Sequence, residues 1–143
     1  MKWNSKNWPH PADAVTTEEV IIEEDATISA YTDGSKQDQG VGSGVAIFKG
    51  SNMVAKAQLK LNTRCSNNQA EQFAILKALE TIESLNKNTI NPSTVIYTDS
   101  RVSLDSLSNP KNHAFLVEKI REKVANLENN DWKINFSWVK AHA

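Results

Sequence analysis

Three acidic side chains in this sequence lie where regular structure is predicted to begin or end. Asp33 closes an apolar run and is followed by Gly34, Asp99 follows a second apolar run, and Glu71 lies close to the start of a helical pattern. Because ligands of open α/β sheets gather outside the carboxyl ends of the strands, we predict that the three carboxylates converge on one solvent-open pocket. Carboxylate oxygens gathered in this way are typical of chemistry that uses a hard cation.

Each of these acids also has a purely structural explanation. Asp33 and Gly34 could form a turn, and Glu71 could close a capping box with Asn68. Asp99 could be the N-cap of a following helix, a role that Ser100 could fill as well. Any one acid would leave function open, but three acids at comparable positions favour a functional site.

Apolar periodicity predicts the elements that position these acids. We predict strands at residues 27–32, 41–49, 53–61, 94–98 and 132–139, and helices at residues 68–85, 100–107 and 116–127. A turn is predicted around Gly40 and Gly42, and a hairpin at residues 49–52. The order β-β-β-α-β-α-α-β predicts an antiparallel three-stranded meander plus two strands, which form one mixed sheet flanked by helices.

The first helix is predicted to have Asn67 or Asn68 as its N-cap. Seven apolar side chains fall on the inward positions of the predicted elements. We expect the following to be largely buried between sheet and helices: Phe73, Leu76, Ile82, Ile96, Leu116, Ile120 and Trp138.

Length and composition indicate one domain of 143 residues with a net charge of −1. Residues 1–26 are acidic and carry two prolines, so we interpret them as a leader and residues 27–143 as the domain, whose charge is then slightly positive. A single cysteine, Cys65, excludes an internal disulfide and a cysteine-based zinc site. Without a signal peptide or an apolar run long enough to span a bilayer, an intracellular protein with no membrane partner is the simplest interpretation.

Four short stretches in order make the chain resemble ribonuclease H. They are residues 31–35, 67–71, 97–100 and 138–143. The version resembles the RNase H domain of non-LTR retrotransposon polyproteins, where it follows a reverse transcriptase. The resemblance covers residues 27–143 and implies an α/β RNase H-like fold.

The resemblance implies that Asp33, Glu71 and Asp99 are catalytic and hold two Mg²⁺ ions, with Mn²⁺ as an alternative. The reaction would be two-metal hydrolysis of the RNA strand of an RNA/DNA hybrid, and an upstream reverse transcriptase domain would be a partner. His142 matches a mobile histidine that helps product leave. Six further residues are expected to contact the hybrid: Gly34, Ser35, Asn67, Asn68, Gln69 and Ser100.

The chain departs from the family pattern after the histidine. The family continues with a glycine-containing loop and a helix that bears a fourth acid, whereas this sequence stops at Ala143. We therefore expect a C-terminally truncated domain without its last helix, and impaired cleavage. The alternatives are a non-cleaving remnant that binds metal and nucleic acid, or another nuclease or integrase of the same fold. Compartment, parent polyprotein and oligomeric state stay open.

Overall fold

The computed structural model describes residues 27–38, 40–85 and 92–140. The predicted leader and His142 lie outside these described residues. The strands are β1 Thr27–Gln37, β2 Gly40–Lys49, β3 Asn52–Leu61, β4 Ser93–Thr98 and β5 Lys133–Trp138. The helices are α1 Asn67–Ser84, α2 Arg101–Ser108 and α3 Phe115–Asn129.

The five strands form one mixed sheet in the order β3-β2-β1-β4-β5, which confirms the predicted fold. β1, β2 and β3 are the antiparallel meander, while β4 pairs in parallel with β1 and β5 in parallel with β4. The predicted β2–β3 hairpin turns at Gly50, whose φ of 61° favours glycine. No helix in the described part of the chain is long and apolar enough to cross a bilayer.

The core lies between the helices and one face of the sheet. Ala30, Ile47, Ile96 and Phe136 point from four adjacent strands into the same cluster as the buried side chains of all three helices. Each fully buried isoleucine or leucine there contributes about 1.5–3 kcal/mol relative to an exposed one. The packed sheet thereby supports Asp33, which lies in β1, and Asp99, which directly follows β4.

The expected core set is correct for Ile82, Ile96, Leu116 and Ile120, which are all buried. The other three are only partly buried, although Leu76 and Trp138 pack against the core: Phe73, Leu76 and Trp138. In α1 the face toward the sheet carries small side chains such as Ala74 and Ala78, so helix and sheet approach closely. The two larger α1 side chains therefore lie at the flanks of this contact.

The predicted end of β1 is also wrong. Asp33 and Gly34 do not form a turn but lie inside the strand, paired with Gly44 and Ser43 of β2. β1 pairs with β4 only as far as Tyr31 and continues beyond it as a ribbon with β2 alone. Asp33 therefore lies where β1 and β4 separate.

The predicted glycine turn is correspondingly displaced. Gly42 lies within β2, and Gly40, with φ 151°, opens that strand after the connection at Asp38. Of the two glycines predicted to form this turn, Gly40 has a positive φ and Gly42 does not.

One side chain, Arg121 of α3, holds the connection between α2 and α3. Its guanidinium donates to the Glu118 carboxylate at 2.8 Å and to four backbone carbonyls at 2.6–3.3 Å. The four carbonyls belong to Ser106, Leu107, Asn109 and Asn112. Arg121 therefore satisfies carbonyls that the end of α2 leaves without helical partners.

Candidate active site

Asp33 is positioned by the strand that carries it and by a link to the neighbouring strand. Thr32 donates its hydroxyl to the Tyr97 carbonyl of β4 at 2.9 Å, one residue beyond the last paired position of the two strands. This buried bond keeps the strands together up to the point where they diverge. The Asp33 side chain is exposed at that point.

Glu71 is fixed by a close approach of α1 to β1. The Gly34 amide donates to Oε1 of Glu71. A Cβ on Gly34 would overlap the Glu71 nitrogen and the Ala70 carbonyl carbon, so only glycine fits there. On the neighbouring strand, Ser43 donates to the Ala70 carbonyl at 2.6 Å. Two adjacent strands thus hold the backbone and the carboxylate of this acid.

The predicted helix cap is wrong, and the correction leaves Glu71 available. The N-cap is Ser66, whose hydroxyl accepts from the Gln69 amide at 3.0 Å. The Gln69 side chain in turn accepts from the Ser66 amide at 2.7 Å. This capping box provides hydrogen-bond partners for the backbone amides of Ser66 and Gln69 at the start of α1. Glu71 is therefore not needed for capping, and its carboxylate lies near those of Asp33 and Asp99.

Asp99 lies in the single turn between β4 and α2. Ser100, one of the two predicted caps, is the N-cap of α2 and accepts from the Ser103 amide at 3.1 Å. The Ser100 amide donates to Oγ1 of Thr98 at 3.1 Å. The Asp99 side chain is partly buried and free of capping.

The three acids converge as predicted. One carboxylate oxygen from each of Asp33, Glu71 and Asp99 can be chosen so that all three lie within 4.8 Å of one another. Asp33 is exposed and Glu71 only 4% exposed, so the cluster opens to solvent on the Asp33 side.

Electrostatics make the cation-free cluster unfavourable. Burial raises the pKa of Glu71 to about 8, and a hydrogen bond with Asp99 and the negative charge of Asp99 add to the shift. The hydrogen bond from the Gly34 amide acts in the opposite direction. Burial and the Asp99 charge also raise the pKa of Asp33. Among the described residues no ion pair within 4.0 Å involves any of the three acids. Two or three ionised carboxylates at this distance need a cation that the described side chains do not supply.

The donor set fits a hard divalent cation. All three ligands are carboxylates, and the group has no soft sulfur or imidazole donor. Mg²⁺ is usually bound by only a few carboxylates, with water and phosphate completing its shell.

The predicted substrate residues fall into two groups. Ser35 of β1 is exposed, and so are Asn67 and Asn68 in the first turn of α1. Gly34, Gln69 and Ser100 are instead engaged in holding the site: the first against Glu71 and the other two in helix caps. His142 lies outside the described residues.

A groove of about 450 Å³ next to Asp33 is lined by residues of β1, β2 and β3. Its lining includes Gly42 and Gly44 of β2 and Gln58 and Lys60 of β3. The sequence did not predict a role for these residues. Gln58 and Lys60 alternate with apolar residues in a predicted strand, which places both side chains on one face of the sheet. This alternation could have indicated that they share a polar surface.

Two supporting residues were also missed. Ser66-x-x-Gln69 fits the capping-box pattern as well as Asn68-x-x-Glu71 does, so the sequence offered both registers. Ser43 gave no local signal, because its role depends on how α1 packs against β2.

Comparisons with known proteins agree with this geometry. The family model described as RNase H matches residues 25–143. No curated protein matches the chain by sequence. RNase H1 from the halophilic archaeon Halobacterium salinarum is similar in structure, with a TM-score of 0.63 and 20% identity over 80% of this chain and 86% of that one.

Two further solved structures are similar. The N-terminal RNase H domain of a Mycobacterium tuberculosis protein, solved as a fusion with maltose binding protein, gives a TM-score of 0.65 and 19% identity over 80% of this chain and 83% of that one. LC11-RNase H1, solved in complex with an RNA/DNA hybrid, gives a TM-score of 0.64 and 21% identity over 79% of this chain and 85% of that one. At these identities the structural likeness establishes the fold.

Proposed function

Because this chain belongs to the RNase H family, we propose that it hydrolyses the RNA strand of RNA/DNA hybrids at the Asp33–Glu71–Asp99 cluster. The observation that carries the proposal is the convergence of three carboxylates without a cationic partner among the described residues. A cluster of like charges in a solvent-open pocket is typical of a functional site. The similar LC11-RNase H1, solved with a hybrid, supports the substrate class.

Asp33, Glu71 and Asp99 would hold two Mg²⁺ ions, with Mn²⁺ as an alternative. When bound, such ions lower the pKa of the attacking water and stabilise the leaving oxygen. The contribution of the chain is position: the Gly34 amide and the Ser43 hydroxyl fix Glu71 before substrate arrives. Preorganisation of this kind lowers the cost of reaching the reactive geometry.

The hybrid would be recognised by its backbone and 2′-hydroxyls rather than by its sequence. Asn67 and Asn68 are exposed in the first turn of α1 and can donate and accept hydrogen bonds there. Ser35 and Lys60 line the groove that leads away from Asp33, and the Lys60 ammonium would contact a phosphate.

Two finer points stay predictions from the sequence. An upstream reverse transcriptase domain in a retrotransposon polyprotein is tested by sequencing the coding region before the codon for Met1. A role for His142 in product release is tested by His142→Ala, which should slow turnover without slowing the first cleavage.

The function itself is tested by cleavage of a hybrid that carries a 5′-labelled RNA strand, in Mg²⁺ and in Mn²⁺. We expect cuts in the RNA of the hybrid and none in single-stranded RNA or in duplex DNA. Asp33→Asn keeps the shape but removes a charge that binds the ions, so we expect a loss of about a thousandfold, equivalent to several kcal/mol.

The matched control is Asp38→Asn, at an exposed acid in the connection between β1 and β2, which should cleave like the wild type. Absence of hybrid cleavage in both metals, or full activity of Asp33→Asn, would overturn the proposed function.

A further inference from the structure

The peptide unit that joins Asp99 to Ser100 is held by side chains on both of its polar atoms. Its N–H donates to Oγ1 of Thr98 at 3.1 Å. Its carbonyl accepts from the indole Nε1 of Trp138 at 3.3 Å. Asp99 belongs to neither β4 nor α2, so no helix or sheet ladder fixes this peptide. These two contacts therefore restrict the backbone rotation that would re-aim the Asp99 carboxylate.

Trp138 is well placed to restrain that peptide. It is the last residue of β5 and pairs with Thr98, and the following amide, that of Val139, donates to the Thr98 carbonyl at 2.9 Å. The guanidinium of Arg101 lies over the indole ring, 5.6 Å from its centroid. Strand pairing fixes the backbone of Trp138, and the cation–π contact restrains its ring.

We propose that Trp138 is a positioning residue for the cation site, acting on Asp99 through the carbonyl bond and with no contact to substrate. The inference rests on the proposed function, because it assumes that Asp99 binds a divalent cation. Residues that orient metal ligands in this way commonly change metal affinity by about 10–100-fold when they are removed. The single bond here is long and acts through the backbone, so an effect near the lower end is expected.

The test variant is Trp138→Phe, which removes the N–H but keeps an aromatic ring for Arg101. We expect Mg²⁺ affinity, measured by isothermal titration calorimetry, to fall about tenfold. In hybrid cleavage kcat should fall by a similar factor with KM nearly unchanged, because substrate contacts are intact. The control is Trp132→Phe, at the buried tryptophan next to the other end of β5, which should lower thermal stability but leave Mg²⁺ affinity and kcat unchanged.

A second measurement needs no folded variant. In the ¹H–¹⁵N spectrum of the wild type, the Trp138 indole N–H signal should move when Mg²⁺ is added, while that of Trp132 should not. Wild-type affinity and kcat in Trp138→Phe, or an indole signal that does not respond to Mg²⁺, would overturn this role while leaving the proposed function intact. A wild-type chain that neither binds Mg²⁺ nor cleaves hybrid would overturn both.

Discussion

Glu71 is buried and Arg121 is partly buried, and the surroundings of these two ionisable side chains are opposite. Arg121 meets four carbonyls and the carboxylate of Glu118, so its charge and its donors are satisfied. Glu71 meets one amide and two further acids, and its pKa rises to about 8. The first arrangement stabilises the fold, whereas the second costs stability until a cation arrives. A buried acid whose ionised form the chain does not stabilise is therefore a candidate ligand-binding group.

The largest expected effect comes from disturbing the approach that fixes Glu71. In Gly34→Ala the new methyl would overlap the backbone at the start of α1, so the helix must move and carry Glu71 with it. We expect hybrid cleavage to fall at least about a hundredfold and the free energy of unfolding to fall by more than about 2 kcal/mol.

Gly44→Ala is the control, since a Cβ there meets nothing nearer than the Asp33 carbonyl oxygen at 4.0 Å. It should change stability by less than about 1 kcal/mol. Equal unfolding free energies for the two alanine variants in denaturant titrations would contradict the close approach.

The stabilising role of Arg121 is tested by removing its hydrogen-bond donors. Arg121→Met removes the donors to four carbonyls, so we expect a loss of about 2–4 kcal/mol in the free energy of unfolding. The cleavage rate per folded molecule should stay within about twofold of the wild-type rate, because Arg121 and the α2–α3 connection contact none of the three acids.

The control is Lys123→Met on the same helix, whose contact with Glu83 at 2.7 Å is an exposed pair. It should cost less than about 1 kcal/mol. An equally small loss of unfolding free energy in Arg121→Met would show that the α2–α3 connection does not depend on Arg121.

The smallest effect concerns substrate binding in the groove. Lys60 and Lys56 are both exposed, with side chains on the same face of β3, but only Lys60 lines the groove next to Asp33. For Lys60→Ala we expect weaker binding of a hybrid and a salt slope of log affinity reduced by about one. Lys56→Ala should leave the slope unchanged. Binding is measured by fluorescence anisotropy at several salt concentrations. Identical slopes of log affinity against log salt concentration for the two variants would show that the hybrid does not bind in the groove.

Much of the fold could be predicted from the sequence, because its signals are local and consistent. Four apolar residues of α3 recur at helical spacing, and the structure buries them all, together with Val117: Leu116, Ile120, Val124 and Leu127. The convergence of the three acids was also predicted correctly, since it follows from the edge at which strands and helices meet.

The parts that failed depend on packing between distant segments. The sequence around Asp33 and Gly34 is compatible with a turn, but pairing with β2 continues the strand through both residues. Two overlapping capping patterns at the start of α1 could be ranked only once α1 was placed against β1 and Ser43. The roles of Trp138 and Arg121 lie in bonds to carbonyls at least nine residues away, which no local pattern reveals.

The central claim is that the three acids form a cation site, and metal-linked unfolding tests it most directly. The ordinary pKa of Glu71 is 4.5 and its folded value about 8, so between these values the folded state holds a proton that the unfolded state releases. Stability of the metal-free protein should therefore fall as pH rises through this window, by about 2–4 kcal/mol from this group. Saturating Mg²⁺ at pH 8 should restore it, because the ions bind only the folded state.

Denaturant titrations at pH 5 and pH 8, with Mg²⁺ or with a chelator, measure both effects. Glu71→Gln should flatten the pH dependence and lose the response to Mg²⁺, whereas Glu80→Gln, at an exposed acid of the same helix, should behave like the wild type. We expect the wild-type chain to lose stability toward pH 8 and to be stabilised there by Mg²⁺. A wild-type stability that is the same with Mg²⁺ and with chelator at pH 8 would contradict it.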